Sequence, residues 1–139
     1  MEEPIIKYPF PVKQQVQWGE MDAFNHVNNV TFFRYFETGR VNFLFESGLW
    51  QLLTEEGVKI VVAKLECNFA QPLFYPETIE IAAGIKKIGT TSIIVHQRII
   101  HAERGIIAHG DAVIVGTDAA TDSKLPWSNI LRAAFEKWM

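Results

Sequence analysis

Four segments that follow residue 57 alternate between apolar and polar residues. They cover residues 58–70, 78–88, 92–102 and 106–117. Because successive side chains of a strand point to opposite faces of its sheet, each segment predicts a strand with one apolar face. Short turn sequences rich in Pro and Gly separate the segments, and strands joined in this way pair antiparallel. This series confines the fold to one built on an antiparallel sheet.

A long aromatic segment precedes these strands. Between residues 29 and 47 the apolar residues recur at steps of three and four, with Arg34, Glu37 and Arg40 between them, which predicts a helix. Gly48 is placed to end it in the left-handed conformation. The segment holds six aromatic residues, too many for one narrow stripe. We therefore expect a buried helix at the centre of the molecule.

Two shorter elements complete the inventory. Residues 12–18 alternate like a strand with one buried face, and residues 126–138 predict a short terminal helix with Pro126 in its first turn. No repeat, low-complexity tract or linker interrupts the chain. The sequence therefore predicts one α+β domain over residues 1–139, in which a sheet is covered on one face by a long helix.

Composition excludes several classes of protein. A net charge of −3 leaves no basic face for nucleic acid, and no apolar run approaches the roughly 20 residues of a membrane helix. The single cysteine, Cys67, excludes an internal disulfide and a cysteine-rich metal site, and we expect it to be an inert strand thiol. The first ten residues lack the basic start and apolar stretch of a signal peptide, so we expect a cytoplasmic protein.

The loop before the long helix carries the chemistry. Asp22, Asn25, His26 and Asn28 lie within a few residues of the helix start, and Asn28 is a candidate N-cap. A helix N-terminus presents unpaired N–H groups and partial positive charge, which can stabilise a carbonyl oxygen as it becomes negative. A nearby carboxylate can serve as general base or nucleophile. These residue types are also ordinary in loops and caps, and that simpler interpretation stays open.

The sequence DAFNHVNN at residues 22–29, followed by FRYFETGR at 33–40, resembles the 4-hydroxybenzoyl-CoA thioesterase-like group of hotdog-fold proteins. Its HVNN element is also similar to plant acyl-ACP thioesterases. The segments at 69–77 and 88–92 are similar to later strands of the group. The resemblance covers roughly residues 10–117 in the right order.

This resemblance implies a hotdog fold, a five-stranded antiparallel sheet wrapped around the long helix. It implies hydrolysis of an acyl-CoA or acyl-ACP thioester without a metal or other cofactor. Asp22 matches the catalytic carboxylate of the group, and the backbone N–H of Asn29 matches the donor that polarises the thioester carbonyl. Where many members have glycine this chain has Asn25, which tolerates a positive φ better than most residues.

Further residues are candidates for contacts with the substrate. His26 could orient Asp22 or the substrate, or could equally bond to loop carbonyls. Thr91 and Ser92 match the start of a strand in the group, where a hydroxyl can reach the site. Lys86 and Arg98 fall on adjacent predicted strands and could contact coenzyme A phosphates. The predicted substrate-binding residues are therefore Asn25, Asn28, Thr91, Ser92, Lys86 and Arg98.

Two alternatives and an assembly state accompany this interpretation. A hydratase or dehydratase of the same fold would have five residues from Asp to His, whereas Asp22 and His26 are four apart. A non-catalytic acyl-thioester-binding module would keep the pocket without turnover. Stretches such as residues 60–63 are apolar on both faces, and bare sheet edges invite pairing. We therefore expect a homodimer or a dimer of dimers, with residues of both subunits completing the site.

Overall fold

A computed structural model describes residues 5–139 of the chain, and it contains six strands and three helices in that range. The strands are β1 (Val12–Gln15), β2 (Val58–Leu65), β3 (Asn68–Phe69), β4 (Thr78–Ile88), β5 (Ser92–His101) and β6 (Gly105–Asp118). The helices are α1 (Asn29–Glu46), α2 (Leu49–Glu55) and α3 (Asn129–Glu136), and a single 3₁₀ turn, Trp18–Glu20, follows β1.

All strands pair antiparallel, and five of them form the order β1-β4-β5-β6-β2. The two-residue strand β3 pairs with β6 beyond the end of β2. Helix α1 packs on one face of the sheet, mainly against β4 and β5. This architecture confirms the predicted α+β class, because the helix covers the face to which the apolar residues of the alternating strands point.

The predicted strand over residues 58–70 is divided into β2 and β3. Residues 66 and 67 belong to neither strand, although the Glu66 N–H still donates to the Asp111 carbonyl of β6. The Glu66 carbonyl oxygen lies so close over Gly110 of β6 that a methyl group there would overlap it. The predicted strand over residues 12–18 is also shorter, and β1 ends at Gln15. The Gln17 N–H instead donates to the Glu20 carboxylate, 2.6 Å away, which closes the 3₁₀ turn.

Helix α1 begins at Asn29, directly after the predicted N-cap. The side-chain oxygen of Asn28 accepts a 2.8 Å bond from the Val30 N–H, so Asn28 is confirmed as the N-cap. Gly48 follows the helix with φ of +79°, as predicted for its C′ position. The same glycine caps α2, a seven-residue helix that the analysis of the sequence missed because two buried leucines are too few to define a period.

The terminal helix is shorter than predicted. Helix α3 begins at Asn129 rather than near Pro126, because Ser128 is its N-cap and accepts a bond from the Leu131 N–H. Its buried residues, with Trp127, join the core cluster around Phe43, and the helix packs against α2 and β4. The short helix therefore covers one end of the sheet face that α1 occupies. No helix within residues 5–139 has the length and apolar character needed to cross a bilayer.

The core consists of two clusters arranged along α1. One surrounds Phe43 near the end of the helix, and the other surrounds Phe36 and extends to Val27 and Leu73 beside the loop that precedes the helix. A buried polar pair lies between them, in which the Arg40 guanidinium donates to the side-chain oxygen of Gln97 on β5. The second cluster supports the loop that carries the candidate site.

Candidate functional site

Asp22 lies in a tight turn that its own carboxylate helps to close. One carboxylate oxygen, Oδ1, accepts the Phe24 N–H at 2.8 Å and the His26 N–H at 3.4 Å. The Asp22 N–H donates to the His26 carbonyl at 2.8 Å, and the Asn25 N–H donates to the Asp22 carbonyl. Within residues 5–139 no hydrogen bond engages Oδ2 of Asp22. The turn therefore holds the carboxylate in place and leaves one oxygen available.

Asn25 takes the strained position of this turn, with φ of +62°. Few non-glycine residues adopt this left-handed conformation at low cost, and Asn is one of them. The expectation that Asn25 replaces glycine here without loss of the turn is confirmed. His26 follows it with an exposed side chain, whose ring packs edge-on against Phe74 at 5.3 Å between centroids.

The first N–H groups of α1 differ in whether they have a hydrogen-bond partner. Val30 donates to the side chain of Asn28, and Thr31 donates to the Asn28 carbonyl at 2.9 Å. The Asn29 N–H has no hydrogen-bond partner in the described part of the chain. This donor therefore remains at the positive end of an 18-residue helix, where it can hold a carbonyl oxygen.

Two cavities open beside the turn. The larger, of about 550 Å³, is lined by Trp18, Gly19, Met21, Asp22, Asn25, Phe74 and Tyr75. The smaller, of about 180 Å³, is lined by His26, Val27, Asn29, Phe32, Phe69, Ala70, Gln71 and Pro72. Asp22 thus lines one cavity and Asn29 lines the neighbouring one. We refer to residues 71–75, which contribute to both cavities, as the wall segment.

A second carboxylate of the loop was not among the candidates. The Tyr35 hydroxyl of α1 donates to Glu20 at 2.6 Å, and the Asn28 N–H donates to the Glu20 carbonyl at 2.9 Å. Burial and the Glu20 carboxylate raise the pKa of Tyr35 far above its ordinary value. Glu20 therefore joins the start of the loop to the helix. The sequence gives no signal for the contact between Tyr35 and Glu20, because Tyr35 reaches the loop only once α1 is formed and packed.

The chain does not bring Thr91 and Ser92 to the Asp22 turn. They lie at the start of β5, where the Ser92 carbonyl accepts the Trp127 indole N–H at 3.0 Å and the Thr91 carbonyl accepts the Gly116 N–H. The wall segment lies near the other end of this ten-residue strand, about 30 Å away at the usual rise. Their role in binding substrate stays a prediction.

Lys86 and Arg98 lie on the sheet face that points away from α1. Lys86 pairs with Asp111 at 2.9 Å, and His96 Nδ1 is 2.6 Å from the same carboxylate. The Arg98 guanidinium lies 3.9 Å from the centre of the Tyr8 ring. No bond in residues 5–139 joins this cluster to the Asp22 turn. The two cations therefore stay predicted contacts for coenzyme A phosphates.

Comparisons with known proteins show the family of the chain. A family model described as the thioesterase-like superfamily matches residues 16–135. A putative esterase of Aquifex aeolicus is 31% identical over 81 residues, 58% of this chain, and the match spans 63% of that protein. The long-chain acyl-CoA thioesterase FadM of Escherichia coli is 24% identical over 124 residues, which are 88% of this chain and 94% of FadM.

A solved structure supports the architecture. The structure of YbaW, a probable thioesterase from Escherichia coli, superposes with a TM-score of 0.85 at 23% identity, covering 92% of this chain and 97% of YbaW. At this identity the likeness shows the fold alone. It confirms the predicted hotdog fold, in which α1 lies against an antiparallel sheet and the short α3 closes one end.

Proposed function

The chain belongs to the thioesterase-like superfamily, whose chemistry is thioester hydrolysis, and from that premise we propose that it hydrolyses an acyl-CoA to a carboxylic acid and free coenzyme A. The observation that carries the proposal is an anchored carboxylate, Asp22, in the turn that leads directly to the unpaired Asn29 N–H at the start of a central helix. The name of FadM as a long-chain acyl-CoA thioesterase supports coenzyme A as the carrier. An acyl carrier protein is the alternative carrier.

In the proposed reaction Asp22 acts as general base or nucleophile. Its Oδ2 takes a proton from water as the water oxygen attacks the thioester carbonyl carbon, or attacks that carbon itself. The Asn29 N–H holds the carbonyl oxygen as it becomes negative, a contribution worth about 10²–10³ in rate. On the general-base route the C–S bond then breaks, and the coenzyme A thiolate takes up the proton that Asp22 removed from water. On the nucleophilic route, loss of the thiolate leaves an acyl-aspartyl anhydride; water then hydrolyses it to the carboxylic acid and the free Asp22 carboxylate, and the proton that water gives up passes to the thiolate. The chemistry needs no metal or organic cofactor.

The remaining contacts are assigned by position. We propose that Asn25 borders the acyl or thioester group, because it lines the same cavity as Asp22. Asn28 uses its side-chain oxygen as the helix cap, so only its amide NH₂ can meet the substrate. His26 lines the smaller cavity beside Asn29 and orients the thioester there. Lys86 and Arg98 are proposed for the coenzyme A phosphates.

We propose that the functional unit is a homodimer or a dimer of dimers in the cytoplasm. Strand β2 is an edge of the sheet among the described residues, and its Val61 and Val62 are 42% and 45% exposed. Large apolar side chains on a free strand edge favour pairing with a second copy. A second copy is also how Thr91 and Ser92 would reach an Asp22 turn, since their own chain holds them away from it.

The test is release of thiol from a panel of acyl-CoAs by Asp22→Asn. The amide keeps an oxygen for the Phe24 N–H, so the turn and the melting temperature should persist. Loss of the base should lower turnover by at least about 10²-fold. Cys67 will contribute little background to a thiol reagent, because burial raises its pKa to about 11. His26→Ala should cost about tenfold.

Asp122→Asn is the matched control for this experiment, because Asp122 is another loop aspartate, and within residues 5–139 its carboxylate pairs only with Lys59 across an exposed 3.6 Å contact. It should retain full activity. Near-full activity of Asp22→Asn at saturating substrate would remove Asp22 from the mechanism. Equal losses in Asp22→Asn and His26→Ala would favour a paired Asp and His, as in a hydratase. Binding of acyl-CoA without turnover by the wild type would identify a non-catalytic module.

A further inference from the structure

We infer that Glu77, which precedes β4, is a positioning residue for thioester hydrolysis, because it fastens the wall segment that both cavities share. This inference rests on the proposed function and adds a residue to it. In the described part of the chain Glu77 lines neither cavity and has no hydrogen bond to Asp22. It acts through the main chain of the wall segment.

The Glu77 carboxylate gathers four hydrogen bonds. Its Oε1 accepts the Phe74 N–H at 2.9 Å and the Arg104 Nη2–H at 2.6 Å. Its Oε2 lies 3.2 Å from Arg104 Nε and 3.0 Å from His101 Nε2. Since His101 Nδ1 accepts the Glu103 and Arg104 N–H groups, its Nε2 carries the proton given to Glu77. The carboxylate therefore joins the wall segment to the turn between β5 and β6.

Arg104 extends the same attachment to the other end of the wall segment. Its Nη1 donates to the Pro72 carbonyl at 3.1 Å and to the Gln71 side chain at 3.3 Å. Gln71 in turn donates to the carbonyls of Arg104 and Ile106, both at 2.8 Å. The ion pair is 19% exposed at Glu77 and 29% exposed at Arg104. It is bidentate and networked, unlike isolated surface pairs that contribute little.

The wall segment passes this constraint to the Asp22 turn. The Leu73 carbonyl accepts the Val27 N–H at 2.8 Å, between His26 and the helix cap. The Phe74 ring packs against the His26 ring. Val27 and Leu73 are both buried in one core cluster. Displacing residues 71–75 would therefore move the turn against α1, and a misplacement of about 1 Å can cost about 10²-fold in rate.

The first variant is Glu77→Gln. The amide can still accept the Phe74 N–H, but it loses the charge and places an NH₂ group among the donors of Arg104 and His101. We expect kcat for acyl-CoA hydrolysis to fall by about 10- to 100-fold while KM changes by less than about threefold. Circular dichroism should show a folded protein, and activity is measured at least 15 °C below each melting temperature.

Glu56→Gln is the matched control. Glu56 follows α2 near the far end of α1, and its Oε1 accepts the Ser128 hydroxyl at 2.6 Å. Glu56→Gln therefore makes the same change, from a partly buried, hydrogen-bonded carboxylate to an amide, at a distance from the site. We expect the control to lower the melting temperature and to leave kcat unchanged. Equal kcat values for both variants and the wild type would overturn the inference.

Arg104→Lys supplies a second route if Glu77→Gln does not fold. Lysine keeps a positive charge for Glu77 but loses the branch to Pro72 and Gln71, so kcat should fall at least about fivefold. An unchanged kcat in Arg104→Lys would overturn the inference. Where Glu77→Gln folds, the losses in the double variant should be less than multiplicative, because the two residues act as one unit, and multiplicative losses would likewise overturn the inference. An inactive wild type would instead refute the proposed function, which separates the two failures.

Discussion

Arg40 is buried, although the helical pattern places it with Arg34 and Glu37 between the apolar positions of α1. Only 6% of it is exposed, and burial lowers the pKa of its guanidinium, while Glu37 opposes that shift. Arg40 donates a hydrogen bond to the neutral side chain of Gln97. Gln97 is wholly buried and donates in turn to the Gly110 carbonyl. Among residues 5–139 no carboxylate forms an ion pair with Arg40, and a buried charge of this kind is costly. The contributions of Arg40 and Gln97 to stability must therefore be measured together.

Arg40→Met should lower the free energy of unfolding by about 1–3 kcal/mol, because it leaves the Gln97 oxygen buried without its donor. Adding Gln97→Met should restore much of that loss, since removing both partners together avoids an unsatisfied group. Urea denaturation of the two single variants and the double variant measures this coupling. Additive losses in the double variant would contradict the role of the two residues as a pair.

At the scale of elements, two glycines allow other segments to cross the sheet. Gly110 of β6 lies beneath the Glu66 carbonyl between β2 and β3, and Gly84 of β4 lies beneath the Lys7 carbonyl of the segment before β1. In both places a methyl group would overlap a backbone oxygen. The two places differ in whether the overlying segment can move. Residues 66 and 67 are held close to Gly110, because the strands before and after them, β2 and β3, both pair with β6.

Gly110→Ala should therefore cost about 3 kcal/mol of stability, the upper end for overpacking a core, and Gly84→Ala about 1 kcal/mol. In the second variant the segment around Lys7 can lift from the sheet, and proteolysis before β1 should become faster. Thermal melts and limited proteolysis of both variants check the difference. A larger loss for Gly84→Ala would show that the segment before β1 is held as firmly as the one between β2 and β3.

At the scale of the whole molecule, two half-buried carboxylates, Glu77 and Asp111, each bind cationic or imidazole side chains in a different part of the sheet. Burial alone would raise the pKa of Glu77, but hydrogen bonds from Arg104 and Phe74 outweigh it and lower that pKa below its ordinary value. The pKa of Asp111 is likewise lowered, because bonds from His96 and Lys86 outweigh its burial. Each group therefore binds protons more weakly in the folded state than in the unfolded state.

Both carboxylates stabilise the fold above their unfolded pKa, and this contribution is lost as pH falls through the lower folded values. We expect the melting temperature to change little from pH 7 to about pH 5 and to fall progressively below that, where carboxyl groups begin to titrate. Asp111→Asn should be less stable at pH 7 and should show a weaker dependence on acid. Identical acid slopes for the variant and the wild type would contradict this account.

The proposed assembly is tested by light scattering behind a sizing column. The chain has a mass of 15.8 kDa, so a dimer should elute at about twice that value and a dimer of dimers at about four times it. Val62→Lys, on the exposed edge strand β2, should shift the population towards the single chain and lower activity together. A fully active single chain at nanomolar concentration would contradict a site completed by two copies.

The sequence by itself determined the features that depend on neighbours along the chain. Period-two alternation predicted β4, β5 and β6, and helical spacing with Asn28 and Gly48 predicted α1 to within a residue. The loop with Asp22 before that helix was also predicted, and the family resemblance implied the positive φ at Asn25. These features follow from local hydrogen bonds and backbone preferences, which residues a few positions apart can encode.

Only the tertiary structure decided the features that join distant residues. The division of β2 from β3 depends on Gly110, more than 40 positions along the chain, and the partner of Arg40 lies 57 residues away. The attachment of the wall segment to Arg104 has no local signature, and neither has the separation of Thr91 and Ser92 from Asp22. Such contacts depend on strand order and register, which the apolar pattern of a single strand does not specify.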